Sequence, residues 1–314
     1  MITMTSALQR TNKLFGNRPA IVDAERNFTW NEHIERIQKL AGALSDLGLE
    51  KGDRFGIIGP NIFRYTELLH AGYWAGAIPV PINHRLAAPE ILHILEDADI
   101  KMLALGEDYL SLTDDELLAP WRDKRLVMSA TSPDSTVPAL DDVLNAADPA
   151  QPQDPKEDDL AVLLYTGGTT GRSKGVQLTH RNITSNGYQV AIAMDVIKED
   201  IYLHVAPMFH AAEVKSTIFT MFGASHCYLP EFTPRDFLAT IERHKATVAG
   251  LVPTTLLRVL DEPGFDNFDV SSLRLISYGT SPILPAVVRR AAKAFPGTGF
   301  QQCYGLTECS PYLA

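Results

Sequence analysis

The feature that most constrains the fold is a regular alternation of short apolar segments with segments of helical periodicity. Thr29 and Glu32 have the spacing of a capping box, and apolar residues then recur at helical intervals over residues 34–47. Gly48 is typical of a helix end, and an apolar strand is predicted at residues 55–58. Strands separated by helices pair in parallel and carry the helices on the faces of the sheet, so the predicted class is α/β.

The alternation continues along the chain and weakens between residues 129 and 159. Helices are predicted at residues 62–75, from near Pro89, at 235–244 and at 285–295. Strands are predicted at residues 78–82, 101–105, 161–165, 202–205, 227–229, 247–251, 274–277 and 299–304. The weak stretch is rich in proline and acidic residues, which indicates an exposed connection with at most one short helix. We therefore expect two α/β parts with mostly parallel sheets, residues 1–159 and 160–314, between which strands can cross.

Charge and composition exclude several classes of protein. The sequence has 28 Lys and Arg against 38 Asp and Glu, a net charge of −10, which disfavours a broad surface for nucleic acid or anionic membrane. No window approaches the roughly 18 apolar residues of a membrane span, and the N-terminus lacks a secretory pattern, so a cytoplasmic protein is expected. Three cysteines, Cys227, Cys303 and Cys309, lack zinc-type spacing and favour buried thiols over a disulfide framework or a structural metal.

The most informative motif is LLYTGGTTGRSKGVQLTH at residues 163–180. Its glycines let backbone amides converge on an anion, its threonines add hydroxyl donors, and Arg172 and Lys174 add positive charge. This combination favours a polyphosphate site over a plain surface turn. Lys174 lacks the neighbours of the common P-loop signature, and residues 176–179 have the pattern of a strand. The sequence therefore predicts a hairpin-like phosphate loop and disfavours a P-loop phosphotransferase.

The same stretch closely resembles the signature loop of the adenylate-forming superfamily, which includes acyl-CoA synthetases, coumarate and feruloyl CoA ligases, luciferases and the adenylation domains of peptide synthetases. Gly167 stands where serine is common in the family, and Ser173 where proline is common. Further family-like segments follow in the expected order: VPINHRLAAPE (80–90), APMFHA (206–211), SYGTSPI (277–283) and YGLTE (304–308). The resemblance covers nearly the whole chain and implies the α/β fold of the family's N-terminal domain.

The resemblance implies a nucleotide site with a metal ligand. It assigns ATP or AMP binding to Thr166, Gly167, Gly168, Thr169, Thr170, Gly171, Lys174, Gly279, Thr280, Ser281, Tyr304, Gly305 and Thr307. It assigns catalytic roles to Lys174, His210, Thr307 and Glu308. A carboxylate such as that of Glu308 is the ligand type that Mg²⁺ prefers. Without the surrounding motif, Glu308 would be equally consistent with an ordinary surface glutamate.

The resemblance also places the acid substrate beside His210, which would orient its carboxylate. The predicted acyl wall is apolar and suits a fatty chain or an aromatic acid; it consists of Phe209, His210, Phe222, Val252, Pro253 and Gly279. An amino acid is a weaker candidate because its ammonium group would need a buried carboxylate. Glu213 is the one acidic residue nearby, and it keeps that alternative open.

The implied reaction is ATP-dependent activation of a carboxylic acid to an acyl-adenylate, followed by transfer of the acyl group to coenzyme A. The implied cofactors and partners are ATP, Mg²⁺, coenzyme A and a small carboxylic acid. The sequence ends six residues after Glu308, before the family's ribose-binding aspartate, hinge and C-terminal lid. We therefore expect weak nucleotide binding and little turnover from this chain. The alternatives are a non-catalytic nucleotide- or acyl-binding module and an amino-acid-activating domain; the oligomeric state is not predicted.

Overall fold

The computed structural model describes residues 2–167 and 171–313 as α-helices, β-strands and short connections. The helices are Met4–Phe15 (α1), Trp30–Asp46 (α2), Phe63–Ala75 (α3), Ala88–Asp97 (α4), Leu140–Ala146 (α5), His180–Met194 (α6), Ser216–Phe222 (α7), Pro234–His244 (α8), Pro253–Leu260 (α9) and Pro285–Ala294 (α10). The strands are Pro19–Val22 (β1), Asn27–Thr29 (β2), Arg54–Ile58 (β3), Ile78–Pro81 (β4), Ile100–Leu105 (β5), Arg125–Val127 (β6), Leu160–Thr166 (β7), Lys174–Thr179 (β8), Ile201–His204 (β9), Ser225–Tyr228 (β10), Val248–Leu251 (β11), Leu275–Gly279 (β12) and Gly299–Cys303 (β13).

The predicted start of α2 is confirmed in atomic detail. Thr29 Oγ1 accepts a hydrogen bond from the Glu32 amide at 3.3 Å, and Glu32 Oε2 accepts one from the Thr29 amide at 2.7 Å. At the other end of the helix, Gly48 has a φ of 91°, a conformation that glycine adopts without steric cost. The local signals in the sequence therefore fix both ends of this helix.

The first sheet is parallel and has the strand order β4-β3-β5-β6. On one face, Phe55 and Ile57 belong to a core with residues of α2 and α3. On the other face, Ile58 and Val80 pack in a cluster that includes Ile91 of α4. Both faces of the sheet are thus covered by helices, as the α/β prediction requires.

The larger sheet has seven strands in the order β13-β12-β11-β9-β10-β1-β2. Its strands pair in parallel except β2, which pairs antiparallel with β1. Strands β1 and β2 come from the N-terminal part of the chain, and Ile21 lies opposite His226. Strands do cross between the two parts, although the division at residue 159 itself stays a prediction.

The connection between residues 129 and 159 is less exposed than its composition indicates. The prediction of one short helix is confirmed by α5, but Leu140, Asp141 and Leu144 of that helix are buried. The carboxylate of Asp141 lies 2.8 Å from Arg36 Nη2 and 2.9 Å from Arg64 Nη2. The expectation of an exposed segment was wrong here because two arginines of α2 and α3 neutralise the charge, which allows the helix to pack inside.

None of the helices in the described part of the chain is both long enough and apolar enough to cross a bilayer. Cys227 is fully buried, as expected, whereas Cys303 and Cys309 are half-buried. The α/β class, the helices on both sheet faces and the mostly parallel strand pairing are confirmed.

Candidate functional site

A cavity of about 540 Å³ lies at the carboxyl ends of β9, β11, β12 and β13. These strands are neighbours in the larger sheet, so the residues that follow them meet at one edge. Open α/β sheets bind their ligands at this edge. The residues predicted from the sequence that line the cavity are Thr166, Gly167, Phe209, His210, Val252, Gly279, Thr280, Tyr304, Gly305, Thr307 and Glu308.

The glycine-rich motif forms a hairpin at the rim of this cavity. Strands β7 and β8 pair antiparallel, with Thr166 opposite Lys174, so the predicted hairpin is confirmed. Gly167 lines the cavity, and Gly171 lines a second one of about 680 Å³ that also borders Gly167. A Cβ added at either glycine would meet no described atom within 4 Å. Packing within the described chain therefore does not require glycine at these two positions. Gly168, Thr169 and Thr170 lie outside the described residues.

Two cations belong to this hairpin. Lys174 is exposed and is the first residue of β8, but it does not line the 540 Å³ cavity. Arg172 is exposed and lines the second cavity. The structure thus places one positive side chain on the wall of the second cavity and another on the adjoining strand end.

His210 occupies the end of a tight turn that follows β9. The carbonyl of Pro207 accepts from the His210 amide at 2.9 Å, and the carbonyl of His210 accepts from the Glu213 amide at 2.9 Å. His210 lines the cavity. Burial of much of its ring lowers the pKa of His210, and the negative charge of Glu213 opposes this shift. The imidazole is therefore neutral at neutral pH and can donate or accept a hydrogen bond.

Phe209 forms part of the wall of both cavities. Its ring meets the ring of His84 edge to face, with centroids 5.3 Å apart and an interplanar angle of 86°. His84 belongs to the VPINHRLAAPE segment, so this family-like motif lies against the APMFHA motif. Asn83, which was not predicted as a site residue, lines both cavities as well. Its position directly after the carboxyl end of a parallel strand is the signal that could have identified it.

The carboxylate of Glu213 is turned away from the cavity. The residue is 4% exposed, and its Oε1 accepts from the Tyr202 hydroxyl at 3.0 Å. Its Oε2 lies 2.8 Å from His204 Nδ1. Both carboxylate oxygens are therefore used inside the protein, and Glu213 is not among the residues that line the cavity.

The YGLTE segment is folded back and held in place. Gly305 bridges to Tyr312, and a Cβ at Gly305 would overlap the carbonyl oxygen of Pro311. The Asn186 side chain on α6 donates to the Tyr312 carbonyl at 2.6 Å and accepts from the Tyr312 amide at 3.3 Å. Tyr304 remains 65% exposed at the cavity. Asn186 is a second residue of the site that was not predicted from the sequence.

The SYGTSPI segment ends β12 under steric constraint. A Cβ at Gly279 would overlap the carbonyl oxygen of Cys303 on the neighbouring strand, so glycine is required there. Thr280 has a φ of 67°, which is rare for a β-branched residue and stores strain at the cavity wall.

Besides Gly171 and Lys174, three further predicted residues do not line this cavity. Phe222 ends α7 and packs beside Tyr188, with ring centroids 6.4 Å apart, because the end of that helix faces α6. Pro253 begins α9 and is buried behind the lining residue Val252, its neighbour in sequence. Ser281 follows Thr280 and is exposed.

Glu308 supplies the one predicted metal ligand. Its side chain is exposed and lines the cavity. Within residues 2–167 and 171–313, no group of three His, Cys, Asp or Glu side chains could hold a metal ion. A single carboxylate is enough to bind an Mg²⁺ ion whose other ligands are water and substrate phosphate oxygens. It is not enough for a metal ion whose ligands all come from the protein.

An open, mostly parallel sheet with a cavity at its carboxyl edge and a glycine-rich hairpin at the rim is the arrangement in which α/β proteins commonly bind ligands. Residues 8–314 match the family of AMP-binding enzymes. A feruloyl-CoA synthase from Amycolatopsis sp. is 34% identical over 286 residues, which cover 90% of this chain and 55% of that protein. A long-chain-fatty-acid–CoA ligase from Bacillus subtilis is 29% identical over 339 residues, covering 98% of this chain and 60% of the relative.

Solved structures of related proteins have the same fold as this chain. The crystal structure of a long-chain-fatty-acid-CoA ligase from Archaeoglobus fulgidus superposes with a TM-score of 0.90 at 26% identity, covering 100% of this chain and 66% of that one. The N-terminal domain of FACL13 from Mycobacterium tuberculosis gives a TM-score of 0.86 at 28% identity, covering 99% of this chain and 77% of that one. The chain belongs to the AMP-binding enzyme family. It spans 55–60% of the length of the two curated relatives named above.

Proposed function

We propose that this chain carries the nucleotide and acid sites of an ATP-dependent acyl-CoA ligase. The observation that carries the proposal is that residues from five separate motifs line one cavity at the carboxyl edge of the sheet. The names of the relatives, which are CoA synthases and CoA ligases, support the same reaction. The acid would react with ATP to form an acyl-adenylate and pyrophosphate, and the thiol of coenzyme A would then take the acyl group and release AMP.

The adenylation step needs charge neutralisation and alignment more than proton transfer. A carboxylate oxygen attacks the α-phosphorus in line, and the bond between that phosphorus and the pyrophosphate oxygen breaks. Lys174 and the amides of the hairpin would hold the β- and γ-phosphates, where negative charge accumulates on the leaving group. The exposure of Lys174 leaves its ammonium group accessible to a phosphate. Thr166 and Thr307, which both line the cavity, would add hydroxyl donors.

The acid would lie beside His210. A neutral imidazole can donate a hydrogen bond to the carboxylate without forming an ion pair that would weaken its attack. Phe209 and Val252 provide apolar wall for the acyl group. Glu213 does not reach this wall, which supports an acid without an ammonium group, either a fatty or an aromatic one.

Glu308 would hold Mg²⁺ together with oxygens of the triphosphate, and the ion would supply positive charge to the phosphates during displacement. Tyr304, Gly279 and Thr280 line the cavity and would contact the base and its sugar. Ser281, next to Thr280, is proposed as an additional polar contact.

The proposal is tested by titrating the 314-residue chain with AMP and with a non-hydrolysable acyl-adenylate analogue. We expect both to bind, the analogue more tightly because it also fills the acid side. The proposal is contradicted if neither AMP nor the analogue binds. ATP–pyrophosphate exchange, measured on the protein in the length that the cell makes, then tests the chemistry with fatty and aromatic acids. Binding without acid-dependent exchange would instead identify a non-catalytic module.

A further inference from the structure

Asn61 connects the two sheets at the segment that carries His210. It lies in the loop between β3 and α3, in the first sheet's layer, and is 5% exposed. The segment at residues 206–210 follows β9 of the larger sheet. The chain leaves β9 irregularly there, since Pro207 has no amide hydrogen and biases Ala206 toward extended backbone.

The Asn61 side chain supplies the hydrogen bonds that this irregular backbone would otherwise lack. Its Nδ2 donates to the carbonyl of Ala206 at 2.9 Å and to that of His204 at 3.3 Å. Its Oδ1 accepts from the amide of Met208 at 2.9 Å. A carboxamide is the side chain that offers a donor and an acceptor at one end, and both are used here. The contacts fix the backbone on both sides of Pro207.

The geometry leads directly from Asn61 to the cavity. Pro207, held between the two fixed residues, accepts the hydrogen bond from the His210 amide that closes the turn. Phe209 and His210 are the residues of this turn that line the cavity. A displacement of the backbone at Ala206 or Met208 would therefore move both side chains relative to a bound acid. The hydrogen bonds of Asn61 reach neither the hairpin nor the YGLTE segment.

We infer that Asn61 is a positioning residue for the acid side of the site, acting through the 206–210 segment, with no direct contact to substrate. This inference rests on the proposed function, because it takes His210 and Phe209 to face the acid. It predicts a selective defect: the acyl part of a ligand should be bound more weakly, and the nucleotide part unchanged. A residue that merely stabilised the fold would weaken both or neither.

The test compares two variants. Asn61→Leu removes all three hydrogen bonds. Asn61→Asp keeps the acceptor for the Met208 amide but replaces the donor to the two carbonyls with a second oxygen, which cannot donate to them. Thr11→Val is the matched control, since it removes another buried bond between the N-terminal part and α7, from Thr11 Oγ1 to the Thr220 carbonyl at 2.8 Å. Each variant is titrated with AMP and with the acyl-adenylate analogue, and its thermal unfolding is recorded.

We expect both Asn61 variants to lose about tenfold or more in affinity for the analogue while AMP affinity stays within about twofold. Thr11→Val should leave both affinities within the same limit, even where its melting temperature falls. The inference is overturned if the Asn61 variants lose affinity for both ligands equally or lose no affinity for either. It is also overturned if both variants fail to fold. If the unaltered chain binds neither ligand, the proposed function fails instead, so the two failures are distinguishable.

Discussion

Oε2 of Glu213 lies 2.8 Å from Nδ1 of His204, inside the protein and away from the cavity wall. The contact belongs to a buried polar chain, because His204 Nε2 lies 3.0 Å from His226 Nδ1 and Tyr202 donates to the other oxygen of Glu213. Burying a carboxylate without such partners would be costly. The arrangement therefore explains why an acidic residue sits next to the APMFHA segment without serving the ligand.

The first prediction concerns the choice of acid. Because Glu213 is engaged elsewhere, amino acids should support no ATP–pyrophosphate exchange above background, whereas acids of similar size without an ammonium group should. Glu213→Gln should leave this preference unchanged in any preparation that remains folded. Exchange driven best by an amino acid, and lost in Glu213→Gln, would restore the amino-acid-activating alternative.

Lys174→Ala should weaken ATP binding by about tenfold or more, since a preorganised positive charge is removed from the β- and γ-phosphates. AMP affinity should change by less than about twofold, because AMP lacks those phosphates. Calorimetric titration of both nucleotides measures the difference. Lys198→Ala is the control: this lysine is exposed and pairs with Glu199 on the surface. An equal loss of AMP affinity would show that Lys174 acts elsewhere.

Glu308→Gln keeps the size of the side chain and removes its charge. We expect exchange to fall by about tenfold or more at limiting Mg²⁺, and the Mg²⁺ concentration for half-maximal exchange to rise. The control is Glu35→Gln, an exposed glutamate on α2 that pairs with Lys39. An unchanged Mg²⁺ requirement would argue against the metal-binding role.

Thr280→Gly should stabilise the chain by about 1 kcal/mol, because relief of positive-φ strain of about 1–3 kcal/mol exceeds the entropic cost of glycine of about 0.5–1 kcal/mol. Thr280→Ala keeps a Cβ in the same strained conformation and should bring no such gain. Denaturant unfolding of the two variants measures the difference. A gain of the same size in Thr280→Ala would assign the effect to the lost hydroxyl.

Asp141→Asn should destabilise the chain by about 2 kcal/mol, since it removes the buried carboxylate that Arg36 and Arg64 share and weakens hydrogen bonds to charged groups. Arg36 then keeps only Glu67 as a counter-charge, and Arg64 only the half-exposed Glu25. Burial alone would raise the pKa of Asp141, but the hydrogen bonds from Arg64 and Arg36 outweigh it and lower the pKa. The stabilisation is therefore fully present above the ordinary aspartate pKa of about 3.9 and is lost as the pH falls through the lower pKa of the folded state.

The free energies of unfolding of the unaltered chain and of Asp141→Asn should accordingly converge in acid. Asp142→Asn is the neighbouring control, because Asp142 is exposed, and it should have little effect at any pH. A difference between the unaltered chain and Asp141→Asn that stays undiminished below the lowered pKa of Asp141 in the folded state would contradict this account.

Local signals made much of the fold predictable. The capping box at Thr29, the positive φ of Gly48 and the apolar strand at Arg54–Ile58 all lie where the sequence pattern indicates. The buried position of α5 was not predictable in this way, because Asp141 becomes compatible with burial only through Arg36 and Arg64, which are distant in sequence.

The candidate site was predictable to the extent that its residues lie in contiguous motifs. Gly279, Thr280, Tyr304 and Gly305 reach the cavity because each follows or ends a parallel strand. Asn61 and Asn186 were missed since their roles depend on backbone groups more than a hundred positions away. Phe222 packs beside Tyr188 and does not line the cavity. An apolar residue near a motif carries no information about which side of its helix faces the cavity.

The pairing of β1 with β10 affects how the protein can be synthesised. Ser225 Oγ donates to the Pro19 carbonyl across 206 residues. At ribosomal rates of about 5–20 residues per second, the nascent N-terminal hairpin waits roughly 10–40 seconds for its neighbour to emerge. During that interval the edge of β1 has unmet hydrogen-bonding groups that a second nascent chain could capture, so a chaperone that covers β1 and β2 would protect the chain during synthesis.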